Sequence, residues 1–345
     1  MTSFVYAIQK LFRRNSLSNK SSTSSKSKAE TAIDNKSSSV EPNSSSVRSN
    51  KSSDHRFDGG RRFHNREDVA YVLPNDDEEI DRIHQQHWVF KVAFQGNYAV
   101  PLKEKLEEGI KVLDSGCGPA TWTLEMAETY PASQFYGVDV SSVFPQTIKP
   151  ANCHFEISNI GESLPFPDNY FDFVHQRLLQ MGLTASDWNT ALKEHMRVVK
   201  PGGWVEVTEF DIEAENLGPK TRTLIDAFIE VTRLKGLVPD VAPKLVDMLK
   251  KAGACNVQDT VVRIPMNHSG KLGALFWDDF KQAFQALQPI LVKKNAEYGN
   301  NDKFLAFLAE CGEECKRNMT GMRFHRATGQ KPARPSGNDP YTSST

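Results

Sequence analysis

The segment Val112-Leu113-Asp114-Ser115-Gly116-Cys117-Gly118-Pro119-Ala120-Thr121 constrains this chain more than any other. A short apolar run ends in an acid, two glycines follow closely, and a helical pattern opens directly behind them. That order describes a strand, a tight turn and a helix, the unit from which open parallel α/β sheets are built. In such sheets a ligand lies beyond the carboxyl ends of the strands, and glycines let the backbone approach it.

The surrounding chain alternates as a parallel sheet requires. Short apolar runs at 110–113, 134–138, 154–157, 171–174 and 204–208 read as strands. Helical patterns at 121–130 and 188–199 lie between them, the second stopped by Pro201-Gly202-Gly203. Ahead of the sheet, Ile80, Ile83, His87, Val89, Phe90 and Phe94 recur at helical steps after Pro74-Asn75-Asp76, which predicts an amphipathic lead-in helix. Beyond Phe210, helical patterns at 220–235, 241–252, 273–294 and 301–317 are interrupted by strand candidates at 257–264 and 320–325. The fold class expected is α/β: a Rossmann-like, seven-stranded, mostly parallel sheet with helices on both faces, an N-terminal helical lead-in and a helical cap inserted late in the chain. This body is expected over 61–330, with cap elements at about 211–240 and 268–318, because some fifty residues between two late strands are too many for a turn.

Composition limits what surrounds the body. Residues 1–60 are rich in Ser, Asn and Lys, with too little apolar surface to offset the entropy of ordering, so a disordered tail is expected there and a shorter one over 331–345. The first sixty residues hold 10 Lys and Arg against 5 Asp and Glu, which leaves 32 against 38 for the remainder. A mildly acidic body without a basic stripe repels phosphate backbones, so nucleic acid is not expected as substrate. No apolar run approaches the ~18 residues of a membrane span. Cys117, Cys153, Cys255, Cys311 and Cys315, with no signal peptide, point to reduced thiols inside the cell. Cys311 and Cys315 would share a helix face, but no second Cys/His pair completes a tetrahedral site, and no metal is expected. The opening MTSFVYAIQKLFRR sets Phe4, Ile8, Leu11 and Phe12 at helical spacing with no acid before Glu30, a pattern shared by mitochondrial presequences and basic arms. The Ser/Lys bias that continues to residue 60 favours an arm, and with it a cytoplasmic or nuclear protein over a mitochondrial one. No feature specifies an oligomeric state.

Two cofactor classes use a glycine turn of this kind. A dinucleotide fingerprint has a third glycine three positions after the second, where this chain has Thr121, and it seats a doubly negative pyrophosphate on the helix N-terminus. Asp114 would oppose that anion. S-adenosylmethionine instead brings an ammonium and a sulfonium with no phosphate, so an acid at the strand end attracts it. Asp139 closes the next strand, 21 residues after Gly118, where a carboxylate can accept from both ribose hydroxyls. Asn159, after the third strand, could read the adenine amino edge while Ile160 packs on its face.

From about Tyr71 to Thr208 the chain resembles the seven-strand, class I S-adenosylmethionine-dependent methyltransferases. Its phrasing is similar to a fungal methyltransferase-domain family that includes velvet-complex secondary-metabolism regulators. The motifs are YVLPNDDEEIDRIHQQH, VLDSGCGPATW, FYGVDVS, LPFPDNYFDFVHQR and RVVKPGGWVEVTEFD, and the last third of the chain matches only loosely. The resemblance implies Asp114, Gly116 and Gly118, with Cys117 between them, at the methionine end of the cofactor. It implies Asp139 and Val140 at the ribose, Asn159 and Ile160 at the adenine, and Gln176 near the methionine moiety. The chain departs from the pattern at Asn159, where an acid is common, and at Pro119-Ala120, where Gly or Thr is frequent.

Methyl transfer is an in-line displacement, so positioning can supply much of the acceleration. An acceptor hydroxyl or carboxyl would still benefit from a base, and the candidates are His175 and Glu209 at strand ends and His87 on the lead-in helix. His175-Gln176-Arg177 lacks the Asn/Asp-Pro-Pro-aromatic signature of enzymes that methylate nucleic-acid amines. The function expected is transfer of a methyl group to an unidentified small-molecule or protein acceptor, by O- or small-molecule methylation. The rival reading is a methyltransferase-like regulatory protein that binds the cofactor and acts through protein partners.

Overall fold

In the computed structural model, which describes residues 55–66 and 68–333, the body opens on a hairpin. Strands β1 (His55–Asp58) and β2 (Arg61–His64) pair antiparallel around Gly59 and Gly60, whose φ angles of 55° and 80° suit a two-residue turn. The body therefore starts ahead of the expected boundary at residue 61. The rest of the expected N-terminal tail, 1–54, and residues 334–345 of the C-terminal one lie outside the described residues. Arg61 holds Asp76 through two hydrogen bonds of 2.6 and 2.8 Å. Asp76 in turn caps helix α1 (Asp77–Ala93) by accepting from the Glu79 amide at 3.1 Å, so the hairpin is tied to the start of the lead-in helix.

Strands β3 (Lys111–Ser115), β4 (Gln134–Asp139), β5 (Cys153–Ile157), β6 (Phe171–Arg177), β7 (Val199–Phe210), β8 (Cys255–Pro265) and β9 (Gly321–Gln330) form one sheet in the order β5-β4-β3-β6-β7-β9-β8. The first five run parallel, and β9 is antiparallel to both β7 and β8. The chain leaves β3 for β4 and β5 on one side and returns to β6 on the other. The β3/β6 pair is thus the switch point at which a crevice opens beyond the strand ends.

Helices α2 (Lys103–Glu108) and α3 (Thr121–Thr129) cover one face, packing Leu106, Trp122 and Met126 against Val112, Phe135 and Phe173. On the other face lie α4 (Ala185–Val198) and α6 (Leu245–Lys251), whose Trp188, Leu192 and Leu249 pack against Leu113, Val174 and Val207. Thr184 and Asp187 make a reciprocal capping box that starts α4 three residues before the apolar pattern at Trp188. Helices α5 (Pro219–Leu234), α7 (Lys271–Leu291) and α8 (Asn301–Asn318) form the cap, and with α1 they share an aromatic layer that includes Phe90, Phe228, Phe276, Phe284, Phe304 and Phe324. Among the described residues no helix is long and apolar enough to cross a membrane.

Candidate functional site

The glycine turn folds back on the neighbouring strand. The amides of Gly116 and Cys117 both donate to the Val138 carbonyl, at 2.8 and 2.9 Å, and the Gly118 amide donates to Asp139 Oδ2 at 2.8 Å. Gly116 sits at φ 75°, and a Cβ there would lie 2.4 Å from Leu179 Cδ1, so only glycine fits. Pro119 and Ala120 continue the turn, Ala120 in the left-handed region at φ 63°, and α3 begins after them. These amide donors are consumed within the protein. Those three donors are not available to a pyrophosphate, whereas a cofactor without phosphate does not need them.

Asp114, at the end of β3, is buried and doubly engaged: Thr123 Oγ1 donates to Oδ2 at 2.5 Å, and His175 Nδ1 meets Oδ1 at 2.9 Å. The His175 ring lies flat on Trp122, centroids 3.9 Å apart and planes 2° from parallel. Asp139, at the end of β4, also accepts from the Ser141 amide at 2.9 Å through Oδ1. Each oxygen keeps a second lone pair, which is what two ribose hydroxyls require. Burial pushes the Asp139 carboxyl up to about 6, against the backbone hydrogen bonds that favour its ionised form.

A single cavity runs along these residues. Its wall brings together Asp114, Gly116, Cys117, Gly118, Asp139, Val140, Asn159, Ile160 and His175, all singled out from the sequence. The Asn159 side chain is partly occupied, accepting from the Gly161 amide at 3.0 Å and donating to Glu162 at 3.2 Å. Three other expected site residues are not on the wall. Gln176 points to the opposite face of the sheet, because alternation along β6 sends His175 and Arg177 one way and Gln176 the other; it is fully buried, with neither amide atom partnered. Glu209 is fully buried behind the site, accepting from the Leu179 and Gln180 amides at 2.7 and 3.3 Å, and burial pushes its carboxyl up to about 8. It holds the loop after β6. His87 faces inward against Glu125, at 2.6 Å, and Arg177.

The same cavity continues into a chamber walled by Phe210, Phe228, Phe276, Phe280, Phe284 and Phe324. One polar island interrupts that wall. Arg82 donates to both oxygens of Glu79, at 2.9 and 2.5 Å, and to Asp279 Oδ1 at 2.7 Å, while Gln86 donates to Asp279 Oδ2 at 3.1 Å. All three charged side chains are buried. Burial works against the Arg82 cation, but Glu79 and Asp279 beside it raise its pKa above the ordinary value; burial raises Asp279 as well. Tyr71, Arg82, Arg177 and Asp279 were not singled out from the sequence. For Arg177 the signal was present, since it shares strand parity with His175; Arg82 and Asp279 reach the cavity through the packing of α1 on α7, and Tyr71 through the segment that precedes α1.

Residues 112–203 match the family model described as a methyltransferase domain. The chain is 32% identical over 214 residues to the N-methyltransferase sirN of Leptosphaeria maculans, spanning 59% of this chain and 74% of that protein. It is 29% identical over 223 residues to the N-methyltransferase gliN of Aspergillus fumigatus, spanning 60% and 76%. A third similarity, 34% over 160 residues, is to the secondary metabolism regulator laeA of Coprinopsis cinerea, where it spans 45% of this chain and 39% of that protein. With a strand-end acid, a glycine turn whose amides are tied to the neighbouring strand and a carboxylate able to accept from two hydroxyls in place, the chain belongs to the S-adenosylmethionine-dependent methyltransferases.

Proposed function

We propose that this methyltransferase acts on a small, largely apolar molecule, at a nitrogen, held in the aromatic chamber beyond the cofactor turn. The observation that carries this reading is the continuity of the cavity from Gly116 and Asp139 to Phe276, Phe280 and Phe284. An aromatic wall of this kind suits a ring system or alkyl skeleton better than a polypeptide segment. Nitrogen is favoured over oxygen for two reasons. Two relatives similar to this chain over about 60% of its length carry the name N-methyltransferase. The polar island also sets two carboxylates against one guanidinium, so its excess charge is negative and attracts an amine.

When bound, the cofactor supplies an activated methyl group on sulfur. The chain's part is to place the acceptor. The phenylalanine walls exclude water and fix the skeleton, and an amine that must shed a proton before attack has the carboxylates of Glu79 and Asp279 on the wall to receive it. The proposal leaves His175 as a wall element: its Nδ1 is turned to Asp114 and its Nε2 is buried without a partner.

The similarity to laeA keeps a second reading, a cofactor-binding regulator that acts through protein partners. The two separate in one experiment. Whole-cell extract is incubated with the protein and methyl-labelled cofactor, and label is counted in the small-molecule and protein fractions. The proposal expects label on small molecules, and loss of that label in Ala283→Phe, which narrows the chamber, with S-adenosylhomocysteine affinity kept. Label confined to protein, or unaltered small-molecule labelling in the variant, would overturn it.

A further inference from the structure

We infer that Arg177 is the seat of the cofactor's α-carboxylate, and that His87 and Glu125 are the residues that position it. Arg177 ends β6, two residues beyond His175 on the same side of the strand, and lines the cavity together with Asp114, Gly116, Gly118 and Trp122. The buried arginines Arg82 and Arg326 are matched by acids: Arg82 has Glu79 and Asp279, and Arg326 has Glu206 at 3.5 Å. Arg177 is different. Among the described residues no carboxylate oxygen lies within the 4.0 Å of an ion pair. Its contacts are the imidazole of His87, with Nη2 3.3 Å from Nδ1, and the Phe90 ring, 5.5 Å from the guanidinium carbon. Burial drives its pKa down to about 10, with Asp114 the first of the nearby charges to oppose the fall. An enclosed cation facing a cavity without a contacting counter-ion is a site for an anion.

The group behind Arg177 is built to aim it rather than to neutralise it. A guanidinium can only donate, so His87 Nδ1 must accept, and the ring proton must sit on Nε2, which donates to Glu125 Oε2 at 2.6 Å. Burial holds His87 down to about 4, so the ring is neutral and able to accept at neutral pH. Burial opposes the ionisation of Glu125, but hydrogen bonds from His87 and Lys91 pull its carboxyl down to about 2, and Asn97 donates to it as well, at 3.1 Å. The sequence Glu125, His87, Arg177 is a fixed relay of hydrogen bonds running from the carboxylate to the cavity wall.

Charge selects the occupant. Asp114 stands on the same stretch of wall, so a plain anion arriving at Arg177 would be repelled by its neighbour. A group that carries an anion and a cation on one carbon satisfies both residues, and the amino-acid end of S-adenosylmethionine is such a group. Arg177 is thereby a binding residue and His87 a positioning one, in place of the acceptor base that its position on the lead-in helix suggested.

The test compares two ligands by calorimetry on the full chain. S-adenosylhomocysteine has the amino-acid end; 5′-methylthioadenosine shares the adenosine and sulfur but lacks it. Arg177→Gln should weaken S-adenosylhomocysteine about 10- to 100-fold, as expected for a lost charge-assisted contact, and leave 5′-methylthioadenosine within about twofold. His87→Ala should shift the same ratio in the same direction by less. Arg177→Lys, which keeps the charge, should recover part of the preference and guards against a misfolded glutamine variant. Equal loss for both ligands would mean that Arg177 only supports the fold. Unchanged S-adenosylhomocysteine affinity with a raised KM for the acceptor would mean that the anion belongs to the acceptor. Either result overturns the assignment.

Discussion

A ribose contact at Asp139 would give cofactor affinity a pH dependence that can be worked from the structure. The Asp139 oxygens already accept from the Gly118 and Ser141 amides, at 2.8 and 2.9 Å, and the carboxyl is pushed up to about 6, chiefly by burial. Ribose hydroxyls would donate to the ionised form, so binding favours loss of the proton. The sign follows: affinity is full above the pKa of the unliganded protein and is lost as pH falls through it. One unit below, at pH 5, about ten in eleven molecules must first deprotonate, and S-adenosylhomocysteine should bind about tenfold more weakly than at pH 8. Asp139→Asn removes the titration. Its amide nitrogen must also face either the Gly118 or the Ser141 N–H, donor against donor, so affinity at pH 8 should fall about 10- to 100-fold. Calorimetry at pH 5, 6, 7 and 8 on both proteins decides it, and the difference between the two curves removes the contribution of other groups. A wild-type affinity that stays level across that range, or a slope that persists in Asp139→Asn, would refute the ribose contact.

Two further outcomes concern the frame of the site. Glu209 has its carboxyl raised to about 8 by burial, so it favours the protonated folded state; that stability is present below the ordinary carboxylate pKa and lost as pH rises through 8. Melting temperatures of wild type and Glu209→Gln should therefore diverge between pH 5 and 9, the variant gaining on the wild type at the alkaline end, and parallel curves would dismiss the assignment. Gly116→Ala forces a side chain to φ 75° and into Leu179, which should cost at least 1–2 kcal/mol and weaken S-adenosylhomocysteine together with the melting temperature; a variant as stable and as tight-binding as wild type would show that the turn has room.

What could be read from the sequence is what depends on local order. The run from Val112 to Thr121, the strand ending at Asp139 and the helix starting after Asp76 are each marked by short-range chemistry, and each lies where that chemistry puts it. The hairpin at residues 55–64 escaped because its strands hold one apolar residue each, Phe57 and Phe63, and follow a Ser/Lys-rich stretch; Asp58-Gly59-Gly60 was its readable signal. Strand β9 was expected at 320–325 but continues to Gln330, since Arg326, Thr328 and Gln330 do not look apolar and are covered only by the neighbours on either side. Arg177 lines the cavity and Gln176 does not for a simpler reason. Being at a strand end says that a residue is near the crevice, while parity along β6 says which of two neighbours sees it. The chamber itself is not a property of any one segment, because its wall is drawn from α1, α5, α7 and β9 together.

The position of β9 also bears on how the protein is made. This strand lies between β7 and β8, and two residues of the chamber wall, Met322 and Phe324, belong to it. As the chain leaves the ribosome, β7 must wait for more than a hundred residues with one edge uncovered, and β8 waits with no partner at all until residues 321–330 emerge and slide between them. The parallel half with its glycine turn can assemble early, while the half that carries the aromatic chamber closes last. Any ribosomal stall or frameshift before Gly321 would release a protein with an exposed sheet edge and a chamber missing part of its wall, prone to pair with other chains before it could carry out its chemistry.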